Sequence, residues 1–335
     1  MKENSFKNNF IDFNYSINLT NDSYGYLVQD NTFIIFKSIN EIIYLIYSTE
    51  KKSIILYDLI DYKKINEIKK AHENYITNFR HFLDIINKRD IIISISGQDN
   101  NLKLWNINNL ECLININKIY NYGILSSAYI LNENNQNYII TSNFNVWDSE
   151  PIKVYDFKGN KIKEINDNNS NDRTFFIDVY YDIKSSKNYI ITGNYDYVKT
   201  YDYNNNKIYY KYCDYDKRFH YNIVIMSNEN IVKLIEGGNG GIIRMWNFHT
   251  GLLLNKIVVG KGLRCICLWT DNYLLVGCNE DIRLLDLKKE IFIQIINCDN
   301  YNLISMKKMY LPKYGECLIS QGINNNQIKL WTNKN

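Results

Sequence analysis

Hydrophobic positions along the chain fall in short β-forming runs separated by polar turns. The first, "FIDFNYSINL" (10–19), alternates: Ile11, Phe13, Tyr15, Ile17 and Leu19 on one face, Asp12, Asn14, Ser16 and Asn18 on the other. That period of two predicts a half-buried strand. A second pattern recurs: two or three β-formers, a basic or polar residue, an aromatic, then Asp or Asn. Its copies are "SIILYDL" (53–59), "NLKLWNI" (101–107), "PIKVYDF" (151–157), "YVKTYDY" (197–203), "IIRMWNF" (242–248), "DIRLLDL" (281–287) and "QIKLWTN" (327–333).

The repeat positions are Tyr57, Trp105, Tyr155, Tyr201, Trp246, Leu285 and Trp331, with Leu285 the one non-aromatic. Successive steps are 48, 50, 46, 45, 39 and 46 residues. They suit a four-stranded propeller blade of about 40–45 residues with somewhat long loops. Before the copies lie β runs ending in small residues, among them "DIIISISGQD", "NYIITGNYD" and "GECLISQG". After them come a turn and another strand, as in "NFHTGLLLNKIVV". Each unit therefore reads as antiparallel strands a to d with a tight b–c hairpin. The seventh copy has no strand d, and the run at 10–19 has no partner. Together they predict an all-β fold, a seven-bladed β-propeller forming one domain over residues 1–335. The N-terminal strand completes the last blade, which also limits exposed sheet edges.

Seven copies in register plus an orphan strand resemble the Trp-Asp repeat β-propeller family over about residues 10–335. In that family a His before strand a, a Ser or Thr on strand b, an Asp in the b–c turn and the strand-c Trp form a hydrogen-bonded tetrad. The resemblance implies one full set, in blade two: His72 (in "AHENYIT"), Ser94 or Ser96, Asp99 and Trp105. It also implies that the b–c and d–a loops surround the mouth most used for partners.

The chain's only literal Trp-Asp dipeptide, in "NFNVWDSEP" (143–151), is out of register. Trp147 precedes Tyr155 by eight residues and falls in the b–c loop of blade three. It either folds onto its own hairpin as a plug or serves as an interface anchor, since Trp, Tyr and Arg are enriched at hot spots. Tyr195 and Tyr197 in the next b–c turn, and Lys217, Arg218 and Phe219 in the following d–a loop, extend an aromatic and basic arc over blades three to five. The rival reading of the tyrosines is compositional, because the chain holds 29 and is rich in Asn, Ile and Lys.

Composition narrows the rest. Net charge is +3, with both signs mixed along the chain, so no nucleic-acid or anionic-membrane footprint is expected. The start has no apolar targeting core, and no apolar run nears the roughly 18 residues of a membrane span. Seven cysteines, none spaced as CxxC, fit a reduced cytoplasm or nucleus without structural metal. "GGNGG" (237–241) precedes a strand and lacks a following Lys-Ser/Thr, so it reads as a hairpin rather than a phosphate loop. His81 has no evident partner, and His249 lies in a c–d turn on the other face. No nucleophile, base and orienter grouping stands out. The expectation is a monomeric, cofactor-free, non-enzymatic adaptor or scaffold for a protein or peptide. The alternative is a fixed subunit of a larger assembly. No Phe-Arg-Arg-Gly phosphoinositide motif, Trp-Asp-x-Arg motif or leading coiled coil supports a narrower family role.

Overall fold

The computed structural model of the protein describes residues 13, 15–24, 31–144, 150–165, 173–214, 220–228, 230–238, 240–260, 262–298, 303–323 and 326–332. They form seven four-stranded antiparallel sheets, and no helix occurs among the described residues. The seven strands c are the repeat copies: Ile54–Asp58, Asn101–Asn106, Ile152–Asp156, Val198–Asp202, Ile242–Asn247, Asp281–Asp286 and Gln327–Thr332. Each inner strand a touches the next, from blade one round to blade seven and back, so the blades close a ring. The fold is a seven-bladed β-propeller.

Each blade is buried on both faces, which is why a strand b such as Arg89–Ser96 reads as a nearly continuous apolar run. The core is divided into seven clusters, one for each seam between neighbouring blades. The repeat residue always faces backwards. Trp105 packs with Phe36, Ile46 and Leu56 of blade one, Trp246 with Tyr189 and Tyr212 of blade four, and Trp331 with Trp269 and Leu284 of blade six. Leu285 does the same against Ile235 and Ile243 of blade five. The position thus requires bulk to fill a seam, and Leu meets that need as an aromatic does.

The Asp or Asn after it has a separate role. Its Oδ1 accepts backbone N–H groups of the c–d turn: Ile60 N on Asp58, Asn108 N on Asn106, Lys158 and Asn160 N on Asp156, Asn204 N on Asp202, His249 N on Asn247, and Lys288 N on Asp286, all at 2.7–3.0 Å. This is an Asx turn, and only a short side chain ending in an oxygen can make it. Opposite each repeat residue of blades one to six, strand d carries one extra residue, a bulge that twists the outer edge.

The ring closes through Tyr15–Thr20, which pairs antiparallel with Gln327–Thr332 as outer strand of blade seven: Tyr15 opposite Thr332, Ile17 opposite Leu330, Thr20 opposite Ile328. Alternation does not run unbroken along the segment. Ile17 and Leu19 pack into the seam with blade one, but Phe13 enters the seam with blade six, its ring edge-on to Trp269 at 5.4 Å. The pairing begins at Tyr15, so Phe13 is released from the sheet's two-residue period and crosses to the other face.

Deleting residues 1–20 removes this strand, bares the edge of Gln327–Thr332 and opens two seams. The expected outcome is aggregation or a markedly lower melting temperature. A truncated chain that stays soluble and melts at the parent temperature would overturn the account of closure.

Candidate binding mouth

In an antiparallel blade the b–c and d–a connections lie on one mouth and the a–b and c–d turns on the other. Two residues before the repeat position, and so on the same face, strand c carries Lys103, Lys153, Lys199, Arg244, Arg283 and Lys329 in blades two to seven; blade one has Ile55. Four of these cations, Lys103, Lys153, Arg244 and Arg283, reach back to the loop arriving from the preceding blade. Lys103 Nζ donates to Ala71 O at 2.7 Å, Lys153 Nζ to Ile119 O at 2.8 Å, and Arg283 Nη1 to Val259 O at 2.7 Å. Arg244 Nε reaches the Asp214 carboxylate at 2.6 Å instead.

The strand-b residue paired with that cation varies: Ser94 opposite Lys103, Glu236 opposite Arg244, Ser320 opposite Lys329. In all three blades it accepts the indole N–H, at 2.8 Å for Trp105 on Ser94, 3.1 Å for Trp246 on Glu236 and 2.7 Å for Trp331 on Ser320. In blade two, buried His72 joins through Nε2 to Ser94 Oγ at 2.7 Å. Asp99 does not complete a tetrad. It is half-buried, and its Oδ2 takes Ser96 Oγ and Asn74 N, both at 2.7 Å. The His72 Nδ1 is buried with the Asn101 side chain, not Asp99, as its polar neighbour. The expected four-membered set is therefore a chain of three beside a separate carboxylate clamp on the d–a loop.

Blade five holds the arrangement that the repeat did not reveal. Buried His220 contacts Glu236 through Nδ1, Glu236 lies 4.0 Å from Arg244 Nε, and Asp214 accepts from both Arg244 and Lys256, the latter at 2.8 Å. Partial burial raises the Asp214 pKa, but the hydrogen bonds and charges of Arg244 and Lys256 outweigh it and hold the carboxyl at about 2. The signal was present: "VKLIEGG" (232–238) places the one acid of strand b at the register of Ser94.

Of the expected contact residues, Trp147, Lys217, Arg218 and Phe219 lie outside the described residues. Tyr195 and Tyr197 are half-buried in the b–c turn of blade four. Arg173 stands 5.7 Å from the Tyr195 ring, and Tyr197 carries Lys211 at 3.8 Å and Lys199 at 4.9 Å. The turn is thus aromatic and basic, with its rings already engaged by the protein's own cations. Tyr122, in the d–a loop between blades two and three, was not singled out by sequence, yet it is 67% exposed on this mouth. Its backbone is fixed at both ends: Glu150 Oε1 accepts Tyr122 N at 2.8 Å, and Asn143 Nδ2 donates to Tyr122 O at 2.5 Å. A cavity of about 1040 Å³ opens over blades one and two, where Lys51, Lys69 and Lys70 alternate with Glu50, Glu67 and Glu73.

Ser94→Ala orphans both His72 Nε2 and the Trp105 N–H, at about 1–3 kcal/mol for each buried group. Asp99→Ala removes a half-wet clamp and should cost less, so thermal melts should rank Ser94→Ala as the less stable; the reverse order contradicts the chain of three.

Burial, reinforced by the Lys103 charge, pushes His72 down to about 3 from its ordinary 6.5. The folded protein resists the proton that the unfolded chain accepts. Its contribution to stability is therefore intact above pH 6.5 and is lost progressively as pH falls towards 3, at up to about 1.4 kcal/mol per pH unit. Denaturation midpoints measured between pH 7 and 4 should fall more steeply for the parent than for His72→Asn, and equal slopes would refute this.

No protein-family model matches this sequence, and no curated protein matches it. The site's meaning therefore rests on its geometry.

Proposed function

We propose that the protein is a non-enzymatic interaction module of the Trp-Asp repeat type, an adaptor or scaffold in a reducing compartment. It takes a protein or peptide on the b–c and d–a mouth, on the side of blades three to five. The observation that carries the reading is Tyr122. An exposed aromatic whose backbone is pinned by Glu150 and Asn143 loses little freedom on binding, which is the property of a pre-organised anchor. Arg173 and Lys211, each over a tyrosine ring, place positive charge on the same mouth.

The use made of the histidines supports a binding role over a catalytic one. His72 bonds Ser94; His81 bonds Asp90 at 2.8 Å and stacks on Phe36 at 3.6 Å; His220 contacts Glu236; and His249 Nδ1 lies 3.2 Å from Tyr209 Oη. All four are spent on framework contacts.

One feature favours a fixed subunit instead. The outer strand of blade six, Ile291–Asn297, bears no charged residue, and Ile291 and Ile295 are exposed, so this sheet edge lacks the lysines that guard most others. Size exclusion of native extract separates the two roles. A mostly free monomer favours the adaptor, and a stable large complex favours the subunit.

Truncating a hot-spot aromatic costs about 2 kcal/mol or more of binding, roughly thirty-fold in affinity. Tyr122→Ala should therefore lose specific partners in quantitative affinity purification, with a melting temperature close to the parent's. An unchanged set of partners would remove the carrying observation.

A further inference from the structure

We propose that Tyr75 and Tyr122 form one paired anchor, positioned by the b–c turn of blade two, and that their occupant is a proline-rich segment of another protein. The proposal rests on the reading of Tyr122 as an anchor and names its companion and its ligand.

The two tyrosines hold the same place in successive d–a loops. Each follows an asparagine, in "ENYIT" (73–77) and "YNYGI" (120–124). In both loops that asparagine's N–H is taken by a carboxylate from the b–c turn of the blade the loop enters. Asp99 Oδ2 accepts Asn74 N at 2.7 Å, and Glu150 Oε1 accepts Asn121 N at 2.6 Å. The Asn-Tyr pair thus recurs with its clamp, although it lies outside the strand-c pattern.

One turn fixes both loops. The turn at 97–100 is closed by Asn100 N on Gly97 O at 3.1 Å. Asp99 holds the loop of Tyr75, and the next residue, Asn100, holds the loop of Tyr122. Asn100 Nδ2 donates to Gly123 O and its Oδ1 accepts Leu125 N, both at 2.8 Å. Side chains of consecutive residues therefore set the separation of the two loops. Tyr75 is steadied further by Tyr24, whose ring stacks on it at 4.3 Å and 11°, and it keeps 36% of its surface exposed. Rings held in this way lose little freedom when covered.

The chemistry around the rings selects the occupant. Both clamping acids are spent inward, Asp99 on Ser96 and Asn74 N, Glu150 on Tyr122 N and on Lys153 at 2.6 Å. Glu73, the one acid in the two loops, lines the cavity shared with Lys51, Lys69 and Lys70, and Lys52 stands 5.7 Å from the Tyr75 ring. No carboxylate beside the rings is set aside for a cationic ligand. What the pair offers is ring surface and hydrogen-bond donors: the phenolic hydroxyls and the amide of Gln98, exposed in the turn itself. A polyproline II segment has the complementary surface, with apolar rings, carbonyls that lack internal partners and, at each proline, no N–H to satisfy. Aromatic-lined sites take such segments because they are already stiff.

An array of proline-rich peptides, each beside a copy with every proline replaced by alanine, is probed with the full chain, and hits are ranked by fluorescence polarisation. Proline-rich members should bind, their alanine copies should not, and added salt should change little. Tyr75→Ala and Tyr122→Ala should each weaken binding about ten-fold or more, with melting temperatures near the parent's. Asp99 is a positioning residue and touches no ligand. Asp99→Ala, measured well below its melting temperature, should therefore weaken binding in the parent but not in Tyr75→Ala, and an equal effect in both overturns the positioning. Equal binding of the alanine copies, binding indifferent to either tyrosine, or binding that salt abolishes overturns the proposal. So does an array with no hits, and the Tyr122 reading then stands if Tyr122→Ala still loses partners in affinity purification.

Discussion

The ring depends on one face of strand c. Residues two apart on that strand point the same way, and they point at the preceding blade. The repeat residue fills the seam, and the cation two positions before it holds the incoming loop, as Lys103 does with Ala71 O and Lys153 with Ile119 O. The outward face serves the next seam. A blade is therefore incomplete alone, with two apolar faces and, in blades two, three, five and six, an arriving loop that its own cation secures. Stability is shared between neighbours, as in other repeat architectures, but here the first and last units must also meet. Tyr15–Thr20 satisfies that condition, putting Leu19 and Ile17 into the seam that Tyr57 enters from blade one.

Within this frame the polar position on strand b is free to vary, provided that it can accept an indole N–H. Ser94 and Ser320 accept with a neutral hydroxyl. Glu236 accepts with a carboxyl oxygen, and the substitution propagates: a buried carboxyl group draws further polar partners, so His220 contacts it and Arg244 comes within 4.0 Å, and Arg244 is in turn paired with Asp214. The same register thus gives a light hydroxyl bridge in blades two and seven and a buried ionic chain in blade five. Where blade six has Val276 opposite Arg283, the cation turns to Asp281 and Val259 O. Local electrostatics follow from one side chain at one register position.

How much of this was legible in sequence follows from the range of each interaction. The strand-c pattern is local, so blade number, order and closure could be read directly, and the Asx turn explains why Asp or Asn recurs at its fifth or sixth place. Cross-strand pairing is not local. That Glu236 sits opposite Arg244, or that Asp99 faces Asn74 N rather than His72, depends on hairpin register that one-residue changes in turn length alter. His81 illustrates the same limit, because Asp90 and Phe36 reach it from another strand and another blade. Phe13 shows the reverse error: an alternation that was real in sequence continued past the point where pairing stops. Tyr122 was unreadable because its exposure is set by Glu150, 28 residues away and on the following blade.

The two mouths differ in how they hold exposed side chains. On the b–c and d–a mouth, loops arrive from neighbouring blades, and polar clamps spanning them, such as Glu150 on Tyr122, set the geometry. Its shape is therefore a property of seams and responds to blade packing. On the a–b mouth the turns of blades two and four are each closed by their own Asp, so Ile85 and Ile183 are placed by local bonds, whereas Ile39 is tied to Asp90 of the next blade. A ligand on the first mouth is coupled to the ring, since it touches groups that also bridge blades. The loops of the first mouth therefore take their shape from the seams, whereas the turns of blades two and four hold theirs through bonds within a few residues.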